Sequence, residues 1–262
     1  MEHVGIVGFG NMGEAIAAGL KRAEPKLGLL VMDPVEAKQR LATEQYGARL
    51  VADAKSMFDT ADITVIAVKP QVMPRVLEAL SSHSIGKRIV GIAAGVPLLT
   101  YSSQLKTGEV VRFMPNLAAT VGKALVGVSY AEPIDSTTVD YAFRIADSIG
   151  DRLVIEEHLM AAITGLSGSG IAYVFAFAHA MALGGTQAGL PYDDALKAAV
   201  SAIGGAAELL RGGNHPIDLL SKVTSPGGTT IAGVALLEEG RFTATVMSAV
   251  VAAAKRAVEL EG

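Results

Sequence analysis

The sequence predicts an α/β chain: a doubly wound parallel sheet followed by an all-α unit. Three observations predict it. From Met1 to about Glu156, short β-branched runs alternate with stretches of helical periodicity, the signature of a parallel sheet with helices on both faces. After Glu157 the strand signals stop and helical segments follow. The first strand also runs into a glycine-rich turn that opens a helix. The division falls after residue 157, giving a first unit of 1–157 and a second of 158–262.

In chain order, the expected strands are residues 4–8 (VGIVG), 29–33 (LLVMD), 63–68, 88–93 and 110–114. Helical character falls on Asn11–Ala23, 34–45, 71–81 and 97–105. Two later runs, 125–131 and 152–157, bracket a helical stretch near 138–149 and are expected to extend the sheet at one edge. In the second unit, helices are expected over 157–166, 171–189, 192–213, 229–240 and 242–260. Gly189-Leu190-Pro191 and Gly212-Gly213-Asn214-His215-Pro216 punctuate them.

Composition excludes several classes. The 262 residues carry a net charge of −4, with lysine and arginine scattered, so no basic stripe for nucleic acid is expected. There are no cysteines, which excludes disulfides and thiolate metal sites and fits a reducing cytoplasm. The five histidines lie far apart in sequence, so no metal site is expected. The N-terminus lacks a basic region followed by a long apolar run, and no secretory signal is expected. The most apolar segment, 171–183, falls short of the ~20 residues that span a bilayer and carries His179 in its middle. It reads as a buried helix, with His179 and Met181 in the core, and no membrane partner is expected. The second unit is nonetheless too rich in Ala, Val and Met for each helix to keep a solvated face. A homodimer would bury the excess.

The turn after the first strand reads Gly8-x-Gly10-x-x-Gly13. Gly8 permits the tight turn, Gly10 lets the backbone approach a pyrophosphate, and Gly13 lets the helix pack close to the strand. The free amides and positive end of that helix then face the phosphates. Asp33 ends the second strand, where a carboxylate takes the ribose hydroxyls of NAD and repels the 2′-phosphate of NADP. Lys38 and Arg40 lie further into the next helix. Together these features predict a Rossmann-type dinucleotide site, with a lean towards NADH. Lys69, at the C-terminal end of a strand, reads as a phosphate or ribose contact or as a solvated lysine before a helix. Asn116 reads equally as a carboxamide contact or a turn cap.

The combination of GFGNMG, AVKPQ, MPN, TGLSGSG and VTSPGGTTIAGVALLE resembles the pyrroline-5-carboxylate reductase family, in order and over essentially the whole chain. The last two motifs carry the specificity of the resemblance. It implies a Rossmann domain, a helical dimerisation domain, and a homodimer or a ring of dimers. It implies reduction of 1-pyrroline-5-carboxylate to L-proline with NADPH or NADH, the last step of proline biosynthesis. Val7, Gly8, Phe9, Gly10, Asn11 and Met12 match its cofactor loop. Ala67, Val68, Lys69 and Pro70 match its second cofactor segment, and Ile92, Ala93 and Ala94 its third. Val223 and the run Ser225, Pro226, Gly227, Gly228, Thr229 and Thr230 match the loop holding the substrate carboxylate. Thr230 matches the threonine that hydrogen-bonds the ring nitrogen. Glu156 lies where some members have a substrate-proximal carboxylate. Ile171 stands where the family has proline, Leu117-Ala118 where it has Thr-Pro, and Lys222 where some relatives have asparagine.

The residues of that loop suit the same role. A Gly-Gly pair at a helix start exposes backbone amides without Cβ obstruction, and a helix N-terminus favours an anion. Ser225 before Pro226 is expected to cap the helix, with Pro at its first position. The reading is a carboxylate cradle built without a cation, with capping as the bland alternative. In TGLSGSG, close helix packing at Gly168 and Gly170 is favoured over substrate contact, with Ser167 or Ser169 as caps. A β-hydroxyacid dehydrogenase would share GFGNMG, but it needs a lysine that the stretch from Ile171 to Leu196 lacks. A non-catalytic dinucleotide-binding protein would not need the cradle.

Overall fold

The computed structural model describes residues 1–261. Eight strands form one sheet: β1 (His3–Val7), β2 (Gly28–Met32), β3 (Arg49–Leu50), β4 (Ile63–Ile66), β5 (Ile89–Gly91), β6 (Val110–Met114), β7 (Ala124–Tyr130) and β8 (Gly150–Val154). Their spatial order is β3-β2-β1-β4-β5-β6-β7-β8. Neighbours are parallel except β6 and β7, which run antiparallel in the register Val111 to Tyr130. The last two runs therefore extend the sheet at one edge, as expected.

Alternation along each strand sends side chains to opposite faces. Val4 and Ile6 of β1, Leu29 and Val31 of β2, and Val111 and Phe113 of β6 enter one buried layer. Val7, Leu30 and Val110 enter the other. The first layer is closed by α1 (Asn11–Ala23) and α6 (Ser136–Ile149), the second by α3 (Ala54–Thr60), α4 (Met73–Leu80) and α5 (Leu98–Leu105). Each fully buried aliphatic side chain contributes about 1.5–3 kcal/mol. A helix α2 (Glu36–Tyr46) follows β2.

Two small elements were not expected. The helix α3 is capped by Asp53, whose Oδ1 accepts the Ser56 N–H at 2.8 Å. The two-residue strand β3 pairs with β2 at Leu30 and Val31. Beyond β8 the chain tightens and loosens in turn: a 3₁₀ turn (Glu157–Leu159), a short α7 (Met160–Ile163) and a π-helical turn (Thr164–Gly168). The remaining helices are α8 (Gly170–Gln187), α9 (Tyr192–Arg211), α10 (Pro216–Val223), α11 (Thr229–Glu239) and α12 (Phe242–Glu261). α10 was also unexpected. Pro216 sits in its first turn and the His215 ring accepts the Ile217 N–H at 3.3 Å, so punctuation became a helix start.

The sequence leads to an expected division after residue 157. By packing it divides into Met1–Ser169 with the C-terminal residues from Ala252 onward, and Gly170–Val251. Within the second unit α8 packs on α9 through small residues. A Cβ at Gly185 would lie 2.8 Å from that of Ala195, and Ala182, Ala195 and Ala199 are buried.

The expectation of a buried helix at 171–183 is not met within the chain. Ala182 is the buried residue of α8, while Val174, Phe175 and Leu183 are exposed. Met181 is exposed too, and His179 lies at the surface with its Nδ1 2.9 Å from the Tyr192 hydroxyl. The unit has too few layers to cover its own apolar faces. Among the described residues, one helical run, Glu157–Gln187, is long and apolar enough to cross a membrane by length and composition.

Candidate active site

The order β2-β1-β4 reverses the direction of strand succession at β1, and ligands of open α/β sheets bind at such a point. A cleft of about 410 Å³ lies there, over the C-terminal ends of β1, β2 and β4. Its walls include Gly8, Gly10, Asp33, Ala67, Val68 and Lys69. The first two expected cofactor segments are thus brought together with the β2 carboxylate.

The local geometry explains the glycines. Gly8 has φ of +91°, and a Cβ there would meet the Ala67 carbonyl oxygen at 2.8 Å. At Gly13 a Cβ would lie 2.2 Å from the Gly8 carbonyl oxygen, so only glycine lets α1 leave the turn this closely. Gly10 faces open space, with nothing within 4 Å of an added Cβ. It is also the residue from which α1 begins, and the first helical bond runs from Glu14 N–H to its carbonyl at 2.9 Å. The amides of Asn11, Met12 and Gly13 therefore have no acceptor inside the helix and lie at its positive end. Bare backbone, open space and an electropositive helix end fit a dinucleotide pyrophosphate.

Asp33 Oδ2 accepts the Phe9 N–H at 2.6 Å and Oδ1 accepts the Val35 N–H at 2.8 Å. The carboxylate thereby holds the glycine-rich turn against β2 while lining the cleft. Phe9 itself is buried and packs edge-on against Tyr46. Lys38 pairs with Glu14 at 3.5 Å and Arg40 with Glu36 at 3.2 Å, so both cations are engaged along the helices. Lys69 is exposed at the start of a 3₁₀ turn, Pro70–Val72. Ile92 and Ala93 are buried beyond β5, beside a second cleft of about 280 Å³ whose walls include Pro70, Gly95 and Val96.

Asn116 acts as the cap: its Oδ1 accepts the Ala118 N–H at 3.0 Å. Its Nδ2 is not spare, because it donates to the Ser167 carbonyl at 3.2 Å and to the Ser167 hydroxyl at 3.1 Å. The MPN and TGLSGSG motifs are thus one bonded structure. Ser167 and Ser169 do not cap α8: the helix is entered directly from the π turn, where Ser169 has right-handed helical angles. At Gly168 the close neighbour is the flexible Met114 side chain rather than a backbone, and Gly170 faces open space.

The residues expected to form the cradle lie in the second unit. Val223 ends α10, exposed, with the exposed Lys222 before it. Ser225 does not cap a helix. Ser225-Pro226-Gly227-Gly228 is a turn, closed by the Gly228 N–H donating to the Ser225 carbonyl at 3.0 Å. Proline at the second position and Gly227 with φ of +66° at the third give the type II pattern. The helix starts three residues later, at Thr229, from Gly228. Its first intrahelical bond is Ala232 N–H to the Gly228 carbonyl at 3.4 Å. The Gly228 amide is therefore spent in the turn. The free donors are those of Thr229, Thr230 and Ile231, and the side chains of Thr229 and Thr230 are exposed beside them. Glu156, in the first unit, is exposed and lies 3.1 Å from His158. Among the described residues, no group of three or more His, Asp or Glu side chains is placed to hold a metal ion.

A switch-point cleft with a glycine-rich turn that opens a helix defines a dinucleotide-binding protein of the Rossmann class. Comparison with known proteins narrows the class. The family model for pyrroline-5-carboxylate reductase dimerisation matches residues 157–260, and that for NADP oxidoreductase, coenzyme F420-dependent, matches residues 3–95. A pyrroline-5-carboxylate reductase of Aquifex aeolicus is 38% identical over 98% of this chain and 97% of its own. Among solved structures, a pyrroline-5-carboxylate reductase of Coxiella burnetii superposes with a TM-score of 0.92 at 29% identity, covering 99% of this chain and 98% of its own. A pyrroline carboxylate reductase of Plasmodium falciparum, with NADP bound, gives 0.88 at 27% identity over the full length of both chains. The chain belongs to the pyrroline-5-carboxylate reductase family.

Proposed function

We propose that this chain reduces 1-pyrroline-5-carboxylate to L-proline with NADPH or NADH, with Thr230 and the turn before it as the substrate site. The observation that carries the reading is family membership over almost the whole length, since the specific motifs of the reaction are included in the match. The dinucleotide supplies the hydride when bound. Gly8, Gly10 and the amides of Asn11 to Gly13 hold its pyrophosphate, Asp33 its ribose, and Ala67 to Pro70 with Ile92 to Ala94 the remainder.

The residues of this chain have three tasks. The free amides of Thr229, Thr230 and Ile231, at the positive end of α11, take the substrate carboxylate without a cation. Holding the acid end fixes the ring so that the imine carbon is presented to the hydride donor, which requires an approach of about 3–3.5 Å. The Thr230 hydroxyl accepts the N–H of the protonated imine and so favours the more electrophilic form. No strong general acid is required, because the imine can arrive already protonated from water.

The description of the 157–260 match as a dimerisation region supports a homodimer, or a ring of dimers, as the covering for the apolar helices. A cysteine-free chain fits the reducing cytoplasm. The test is direct. Purified protein is expected to consume NADH or NADPH when 1-pyrroline-5-carboxylate is added and to release proline. Dinucleotide binding without turnover on this or a six-membered cyclic imine carboxylate would refute the reading.

A further inference from the structure

We propose that the C-terminal turn of α12 is a strut for the loop at residues 92–97, with Arg112 and Glu261 as positioning residues for the bound dinucleotide. The proposal rests on the reading that Ile92, Ala93 and Ala94 bear on the dinucleotide. All the residues concerned belong to the first compact unit.

Arg112 stands within β6 and is 2% exposed. Its two terminal nitrogens are divided between distant points of the chain. Nη1 donates to Glu157 Oε1 at 2.6 Å and Nη2 donates to Glu261 Oε1 at 2.7 Å. Glu157 Oε1 also accepts the Leu98 N–H at 3.0 Å, the amide that opens α5 just after the loop. One buried guanidinium therefore ties the loop's far end and the C-terminal end of α12 to the same strand. Removing one partner of such a buried group leaves charge uncompensated, so the arrangement is hard to abandon piecemeal.

The loop itself bears on that turn. Gly95 has φ of +73°, and a Cβ there would lie 3.0 Å from both the Leu260 carbonyl oxygen and its Cβ. The end of α12 thus presses on the loop's backbone, and a side chain at Gly95 would push it away. Beneath the loop, the Tyr101 ring packs on Gly91, where an added Cβ would meet it at 2.3 Å. Burial pushes the Tyr101 hydroxyl up to about 12, against the pull of the Ala93 amide and Arg112, so it stays neutral beside the loop. The cleft of about 280 Å³ places Pro70 of the second cofactor segment with Gly95, Val96, Leu260 and Glu261. The strut therefore adjoins two of the three segments assigned to the dinucleotide.

The full-length enzyme is compared with Glu261→Ala, Glu261→Gln and a chain ending at Glu259. Glu261→Ala and the shortened chain are expected to raise KM for the dinucleotide about three- to tenfold, as residues that bias a site without touching its ligand do. Glu261→Gln keeps an acceptor for Nη2 and is expected to recover most of the loss. KM for the imine carboxylate is expected to move less than about twofold. A merely structural role would lower Tm and the amount of active enzyme, hence apparent kcat, while leaving both KM values alone. Ala94→Leu probes the loop directly. If it leaves dinucleotide KM unchanged, the cofactor reading of the loop fails and the strut with it. If it raises that KM while Glu261→Ala and the shortened chain do not, the loop reading stands and the strut is overturned.

Discussion

Thr230 is the side chain on which the proposed chemistry turns. A hydrogen bond to a charged group is worth about 1.5–3 kcal/mol, so Thr230→Ala is expected to lower kcat roughly ten- to hundredfold. Dinucleotide affinity, measured by fluorescence titration, is expected to be unchanged; a normal kcat would remove Thr230 from the mechanism. Asp33 decides a different matter. Its carboxylate lines the cleft while accepting from Phe9 and Val35. Asp33→Ser is expected to shift the ratio of kcat/KM values towards NADPH by about tenfold, because the 2′-phosphate then meets no negative charge. At this scale the sequence was legible where a residue type answers one steric demand. Gly8 and Gly13 are such positions, since any Cβ would strike backbone. Ser225 was not, because Ser-Pro opens a helix and a type II turn equally well. What decided was Gly227 at φ of +66°, which closes a turn and postpones the helix to Thr229. The consequence for the cradle is specific: the donors on offer move from the glycine pair to the first turn of α11.

Short elements depend on their caps more than on periodicity, and that is why two of them escaped the sequence. α3 spans Ala54–Thr60 and α10 spans Pro216–Val223, each too brief to show a repeating apolar face. The π turn at Thr164–Gly168 is likewise invisible in sequence, since it is held by Asn116 from 51 residues away. The caps make a testable statement about acid. The Ser56 amide holds the Asp53 carboxyl below the usual carboxylate range, and the Thr137 amide does the same for Asp135, which caps α6. A carboxyl with a depressed folded value adds stability that is complete above its unfolded value, about 3.9, and is lost as pH falls through the folded one. Wild type is therefore expected to melt above Asp53→Ala and Asp135→Ala by a constant margin near neutral pH. That margin is expected to close below about pH 4. A margin independent of pH down to the acid limit would mean that the charge of the caps is irrelevant. In the turn that precedes α11, Gly227→Ala forces a Cβ into the left-handed region and is expected to raise KM for the imine carboxylate while sparing that for the dinucleotide.

For the molecule as a whole, the alternation of strand and helix up to Glu156 gave the doubly wound sheet, because burying a parallel sheet on both faces leaves a mark at every strand. The antiparallel step from β6 to β7 left none, since strand direction does not alter the side-chain pattern. The same limit applies to the apolar helices. Their composition demands a cover, but a sequence does not say whether the cover lies within the chain. In the single chain it does not: Leu236, Met247 and Val251 are 69%, 64% and 66% exposed. Met247 and Val251 stand four residues apart on α12, hence on one face of it. Burying such side chains yields about 1.5–3 kcal/mol each, and several must be buried together to exceed the cost of association, which is about 4–15 kcal/mol. The proposed homodimer therefore depends on a contiguous face. Met247→Glu with Val251→Glu places two carboxylates on that face and is expected to convert the assembly to 27.0 kDa protomers in analytical ultracentrifugation. Turnover is expected to fall with the dimer, because the substrate turn lies among the same uncovered helices. Wild-type protein sedimenting as a protomer at micromolar concentration would end the dimer reading. Its partition into lipid vesicles under the same conditions would assign the uncovered face to a bilayer through the Glu157–Gln187 run instead.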